Sequence, residues 1–336
     1  MIIIKELSQL EKCEKDIKNL INKKIENYQF YYENLYALHK SNSEIITFID
    51  NKKQCFTSFK PKDEDIMECC INIEPIYIGN SYKEKVECFI QEIYNYFDNK
   101  TLYFPLVYEN SEFYKVISQN NKFYKYKRLY TSIVEPSKIK NLFEYLDDNK
   151  YFSKSAVKKF EKKLKVKYYI KQNVEKILAN IEKESWKSCV GQDMYTHYDK
   201  IIYYNELIKK GVAQIAVAID EENKPVAYRI DAILNDMAIQ LKTSFSEKYK
   251  KYSPGAYLTI YDMFNNLKNF RQIDLYGGPN LLKDLVETKR INRYDICFGN
   301  TKVIEELKES RLNWDERNFK EKRAIKRIYD KKGDFQ

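Results

Sequence analysis

The stretch from Met237 to Lys289 constrains the fold of this chain more than any other, because it reads strand, loop, helix, strand, loop, helix without a break. Met237 to Phe245 alternates apolar and polar residues as a half-buried strand does. Tyr249 to Ala256 is a polar turn containing Ser253-Pro254-Gly255, and an amphipathic helix follows from about Ala256 to Leu267. A strand that passes through a glycine turn into a helix leaves the first-turn N–H groups unpaired and pointing outward. Lys250 and Lys251 stand beside them, so the turn suits an anion such as a phosphate. Further on, Gln272 to Lys283 is a short strand ending at Gly277-Gly278-Pro279, which takes two of the chain's 8 glycines. Such a turn needs positive φ or a close approach, and an ordinary strand-to-helix connection satisfies it equally well.

The order Ser253-Pro254-Gly255, helix, Asp274, Gly278, Lys283 resembles the core of the GNAT-superfamily acyltransferases of the cellulose-biosynthesis-protein type. These are close in fold to the Fem-type aminoacyltransferases of peptidoglycan synthesis. The aspartate, glycine and lysine spacing is kept, with Leu282 where that group carries an aromatic. The likeness is strongest over residues 170 to 300. It implies an α/β (α+β) fold of two GNAT-like units, each a mixed, mostly antiparallel sheet with flanking helices. The N-terminal unit, residues 1–167, would be degenerate, bind no cofactor and form one wall of a cleft. Residues 168–300 would be the acyltransferase unit, and residues 301–336 a charged helical tail.

The pattern along the chain agrees with two alternating units. A strand at Ile2 to Ile4 and a helix from about Gln9 to Asn27 lead into strands at Glu44 to Asp50, Gln54 to Ser58 and Asp65 to Ile73. A helix from Tyr82 to Phe97, a strand from Thr101 to Val107, a short helix from Ser111 to Asn120 and a strand from Tyr124 to Val134 complete the first unit. Ser137 to Tyr151 reads as a helix and Ser153 to Lys171 as a lysine-crowded linker, a feature that Fem-type enzymes share. The second unit has helices at Asn173 to Glu184 and Met194 to Lys210, strands at Val212 to Ile219 and Val226 to Ile233 joined by a polar hairpin, a helix at Leu281 to Thr288, and a last strand from Arg293 to Gly299.

Fifty-nine Lys and Arg against 49 Asp and Glu leave a net charge of +10, which favours an anionic partner, although a solvated cationic surface accounts for it as well. In the tail, Arg317, Lys320, Lys322, Arg323, Lys326 and Arg327 form a basic patch that could hold RNA or an anionic surface. Seven cysteines, odd in number and without a C-x-x-C pair, point to reduced thiols. With no long apolar run and no signal-peptide core, a cytoplasmic protein without a transmembrane segment is expected.

Acyl transfer to an amine needs a deprotonated amine, a stabilised oxyanion and a proton for the leaving group. What the resemblance implies is a backbone oxyanion donor at about Gln240 to Thr243 and a tyrosine acid, for which Tyr276 is the first choice. Asp274 and Asp231 are candidate bases, though Asp231 is also spaced to pair with Arg229 on one face of its strand. Cofactor contacts are expected at Lys250, Lys251, Ser253, Gly255 and Ala256, with Gln240 and Lys242 on the strand. His39 and His197 lack ligand-spaced neighbours, so no metal is expected. The acyl donor would be acyl-CoA, acetyl-CoA first, and the acceptor an amine of a small molecule, sugar or peptide-like compound. A Fem-like transfer from aminoacyl-tRNA and an inactive binding protein of the same fold are the alternatives.

Overall fold

The computed structural model describes residues 1–21, 28–71, 74–78, 83–139, 154–185, 187–188, 193–278 and 281–312. Its strands are β1 (Ile2–Ile4), β2 (Ile46–Asp50), β3 (Cys55–Pro61), β4 (Ile66–Cys69), β5 (Tyr77–Ile78), β6 (Thr101–Tyr108), β7 (Tyr124–Val134), β8 (Lys165–Tyr169), β9 (Ala213–Ile219), β10 (Pro225–Leu234), β11 (Met237–Phe245), β12 (Gln272–Asp274) and β13 (Lys289–Phe298). All belong to one mixed, mostly antiparallel sheet in the order β1-β2-β3-β4-β6-β13-β7-β12-β11-β10-β9-β8, with β5 alongside β3.

The sheet repeats itself outward from a central seam. β13 and β7 pair antiparallel along most of their length, from Lys289↔Ile133 to Cys297↔Tyr124. On one side β13 meets β6 antiparallel, and β6 meets β4 parallel. On the other side β7 meets β12 antiparallel, and β12 meets β11 parallel. Each parallel pair needs a crossover connection. Helix Lys83–Tyr96 makes the first crossover and helix Pro254–Asn265 the second. The last strand of the chain is therefore seated between two strands of its first half.

Aromatic residues fill the first half. Phe48, Phe59, Phe97, Phe104 and Phe113 join one buried cluster under the helices that precede β2 and β6. The second half has a core on each face of the sheet. Helix Pro254–Asn265 supplies Tyr257, Leu258, Ile260 and Met263 to one face. Helices Glu175–Lys183 and Tyr198–Lys209 cover the other. Helix Tyr28–Ser41 packs along helix Tyr198–Lys209 and ties the halves together, with Tyr203 donating to Asn34 over 2.7 Å.

Four local expectations are revised. The N-terminal helix breaks at Cys13 into Leu7–Lys12 and Glu14–Ile21. Helix Tyr28–Ser41 was not foreseen, because its apolar and aromatic residues follow no single helical stripe. The lysine-rich linker divides into helix Lys154–Lys163 and strand β8, an edge strand whose lysines keep its outer side from pairing with another chain. The helix expected from Met194 begins at Tyr198, after a turn in which Asp193 accepts from the Thr196 N–H at 2.7 Å. The helix expected over Ser137 to Tyr151 lies mostly outside the described residues, as does the basic patch of the tail.

Candidate functional site

The site follows from a mismatch in strand length. β12 pairs with β11 only from Met237↔Gln272 to Ile239↔Asp274 and then stops, while β11 runs on to Phe245. From Gln240 onward β11 keeps its β10 neighbour but has left β12, so the two parallel strands part over the residues where the resemblance implies an oxyanion donor.

A cavity of about 310 Å³ opens at this splay, lined by Gln240, Thr243, Gly255, Ala256, Lys187 and Lys283 among others. Gly255 and Ala256 belong to the first turn of helix Pro254–Asn265, whose N–H groups have no partner within the helix. Ser253, at the N-cap, holds a left-handed conformation (φ 47°, ψ 48°) that turns the chain sharply into the helix. A Cβ on Gly255 would come within 3.3 Å of the Phe245 ring, so glycine keeps this corner open. Lys250 reaches Glu247 at 2.5 Å, and Lys251 lies over the Tyr252 ring at 5.1 Å. Neither lysine of the turn lines the cavity.

Lys187 takes that place, and sequence reasoning missed it. Its ammonium donates to the Thr243 carbonyl at 2.8 Å, on the part of β11 that has left β12. Burial, followed by the neighbouring Lys242, lowers its pKa to about 8. Burial likewise lowers Lys242, which faces Glu182, Lys200 and Asp193. Lys283 donates to the carbonyls of Tyr276 and Gly278, the latter at 3.3 Å, and so closes the Gly277-Gly278 turn. In Gly277 (φ 79°) that turn uses a conformation natural to glycine.

Of the candidate acid and bases, Tyr276 and Asp274 share one turn, and Asp231 is held by Arg229. Asp274 is buried and accepts three hydrogen bonds, from Tyr108 at 2.6 Å, Thr131 at 2.5 Å and the Tyr276 N–H at 2.7 Å. Its carboxylate thus fixes the turn that presents Tyr276, itself at positive φ (26°). The Arg293 guanidinium is sandwiched between the rings of Tyr108 and Tyr276, at 4.3 and 4.4 Å. Asp231 is elsewhere, fully buried and bonded to Arg229 at 2.7 to 3.0 Å. Asp262 approaches the same guanidinium at 3.5 Å, and burial together with Asp231 raises its pKa. Asp231 therefore sits in a closed ion cluster beneath helix Pro254–Asn265; it does not line the cavity, although it pairs across the sheet with Gln240, which does. His39 is buried against Thr47, and His197 is exposed at the start of its helix.

A second cavity, of about 200 Å³, lies where the two halves meet. Asp274, Ile239 and Met237 line it from the second half, and Glu74, Tyr108 and Asn110 from the first. Glu74 accepts the N–H groups of Glu112 (3.2 Å) and Phe113 (2.9 Å), and burial raises its pKa to about 7. No cluster of potential metal ligands occurs among the described residues, and no helix there is long and apolar enough to cross a membrane.

The sequence matches no protein-family model and no curated protein. Solved structures share the fold. The C-terminal domain of a lysylphosphatidylglycerol synthetase from Agrobacterium fabrum superposes with a TM-score of 0.64 at 10% identity, covering 91% of this chain and 96% of that one. The structure of FemX gives 0.55 at 12% identity, covering 91% and 99%. A tandem GNAT protein from the clavulanic acid biosynthesis pathway gives 0.50 at 6% identity, covering 79% and 87%. This chain therefore shares its fold with proteins of little sequence similarity.

Proposed function

We propose that this protein is an acyltransferase that moves an acyl group from a phosphate-bearing carrier to an amine of a small-molecule or peptide-like acceptor. The observation that carries this reading is the splay between β11 and β12, which opens at a cavity shared by a helix N-terminus and two lysines. A donor held there places its acyl carbonyl beside strand N–H groups that no longer serve β12, where a developing oxyanion is stabilised. The first-turn N–H groups at Gly255 and Ala256, with the helix dipole behind them, attract the donor's phosphate. In this reading Lys187, on the cavity wall, gives a proton to the leaving group, with Tyr276 the second candidate acid.

Of the two donors, the aminoacyl ester of a charged tRNA is favoured. The likeness to FemX and to the lysylphosphatidylglycerol synthetase domain spans both halves of this chain and is nearer than that to the tandem GNAT protein. Acyl-CoA is the second reading, supported by the open first turn of helix Pro254–Asn265. Salt separates the two donors, because tRNA affinity should fall about 10³-fold or more between about 50 and 200 mM salt and CoA affinity far less. Gly255→Leu should abolish binding of whichever donor is used while the fold persists. Failure of both charged tRNA and acyl-CoA to bind the wild-type chain would refute the reading.

A further inference from the structure

We infer that the cavity between Glu74 and Asp274 receives the acceptor as an ammonium group on an alkyl stem, with Glu74 as the carboxylate that holds it and takes its proton. The inference rests on the acyltransferase reading for its chemistry and on the cavity itself for its geometry. Three observations carry it.

The first is position. Ile239 and Gln240 are consecutive on β11, and consecutive strand side chains point to opposite faces. Ile239 lines this cavity, while Gln240 lines the donor cavity. Ile239↔Asp274 is also the last β11–β12 pair. The two cavities therefore lie on opposite faces of β11 where its pairing with β12 ends, and the gap beyond that pair is the route by which an amine in one would meet an acyl group in the other.

The second is size and lining. About 200 Å³ is below the roughly 300–1,000 Å³ of pockets for whole ligands, and it suits one side-chain-sized group. Its walls include Ile133, Met237, Ile239 and Ile291, which suit an alkyl stem, and its anionic groups are the two carboxylates.

The third is the difference between those carboxylates. Among the described residues Asp274 already accepts three hydrogen bonds, whereas Glu74 accepts two, both from backbone N–H groups. A carboxylate offers about four acceptor positions, so Glu74 keeps capacity for an incoming donor. Around it stand Glu112, Lys115 and Tyr31, with Asp274 and Tyr108 across the cavity. Burial places its pKa at about 7, so it is ionised in part at neutral pH and can accept a proton there.

The step balances without another reactant. The ammonium gives one proton to Glu74. The free amine nitrogen attacks the acyl carbon, its bond to that carbon forms, and the bond from the carbon to the carrier oxygen or sulfur breaks. Lys187 gives the leaving atom a proton, and the second nitrogen proton replaces it.

The test is binding of n-butylamine to the full chain by calorimetry, without any donor, with n-butanol as the neutral counterpart. Ammonium binds the ionised carboxylate, so affinity should rise about tenfold between pH 6 and 8, following Glu74. Glu74→Gln should bind about tenfold more weakly with no pH dependence, and Glu74→Asp should retain the dependence. Equal binding of butanol, or a Glu74→Gln chain that binds as wild type does, would overturn the site. Should that variant fail to fold, Ile133→Phe fills the same cavity, and unchanged butylamine binding in it would overturn the site equally. Amine binding without transfer from either donor would end the acyltransferase reading and leave this site standing. Transfer with an unchanged amine KM in Glu74→Gln would do the reverse.

Discussion

The two halves of the sheet are built on one plan and used differently. Each has a parallel pair flanked by antiparallel neighbours, with a helix crossing between the paired strands. In the first half, β4 and β6 pair over Ile66–Glu68 and Thr101–Tyr103, and rings occupy the space beyond. Phe104 packs on Phe59 at 5.4 Å and on Phe113 at 4.9 Å between centroids. In the second half the corresponding space is hollow, because Gly255 stands where a side chain would press on Phe245, and Lys187 and Lys283 reach its walls. Filled and hollow splays have different physical consequences. The filled one contributes packing energy, and the hollow one gives some of that up to hold backbone donors and desolvated cations in place.

The comparison breaks most directly in the first half. Phe104→Ala should cost about 3–5 kcal/mol in urea unfolding, as loss of a fully buried ring does, with donor binding in the surviving folded fraction unchanged. A loss below about 1 kcal/mol would mean that the first splay is not packed as described.

Next in size is the closed ion cluster under the second half. Asp231→Ala leaves the buried Arg229 without its bidentate partner and should cost about 3 kcal/mol, the lower end for such a change, because Asp262 stands 3.5 Å away and regains its charge. If Asp231 instead serves as the reaction's base, the same variant would lose turnover at little cost in stability.

The smallest effect sharpens the contrast. Burial lowers Lys187 to about 8, so between about pH 8 and 10.4 the folded chain binds fewer protons than the unfolded chain. Stability should therefore rise with pH across that window. Lys187→Met should flatten this slope, leaving the part due to Lys242. An unchanged slope in that variant would place the Lys187 ammonium in solvent, not in the cavity.

Much of the frame is legible in the sequence. β7 matches its expected span because Tyr124 to Val134 is long and bounded, and the β9 to β11 meander shows apolar runs divided by a polar hairpin. The glycine turn and the helix it opens were equally plain. β8 was hidden because three of the five residues of Lys165-Val-Lys-Tyr-Tyr169 face solvent, leaving no apolar alternation to read. Lys187 and Glu74 were hidden for another reason. One lysine among 59 cationic residues carries no signal until burial removes its water, and Glu74 meets Asp274 only where the halves close on each other.

By itself the sequence determined the repeating α/β pattern, the β11 strand with its glycine-opened helix, and the Arg229–Asp231 spacing, because all depend on residues within a few positions of one another. Only the tertiary structure decided that β13 enters the first half, that Tyr108 bonds to Asp274 across 166 positions, and which carboxylates and lysines face a cavity. Periodicity and turn chemistry act locally and can be read along the chain. Desolvation and charge pairing depend on which distant surfaces meet, and that is settled when the sheet closes around its central seam.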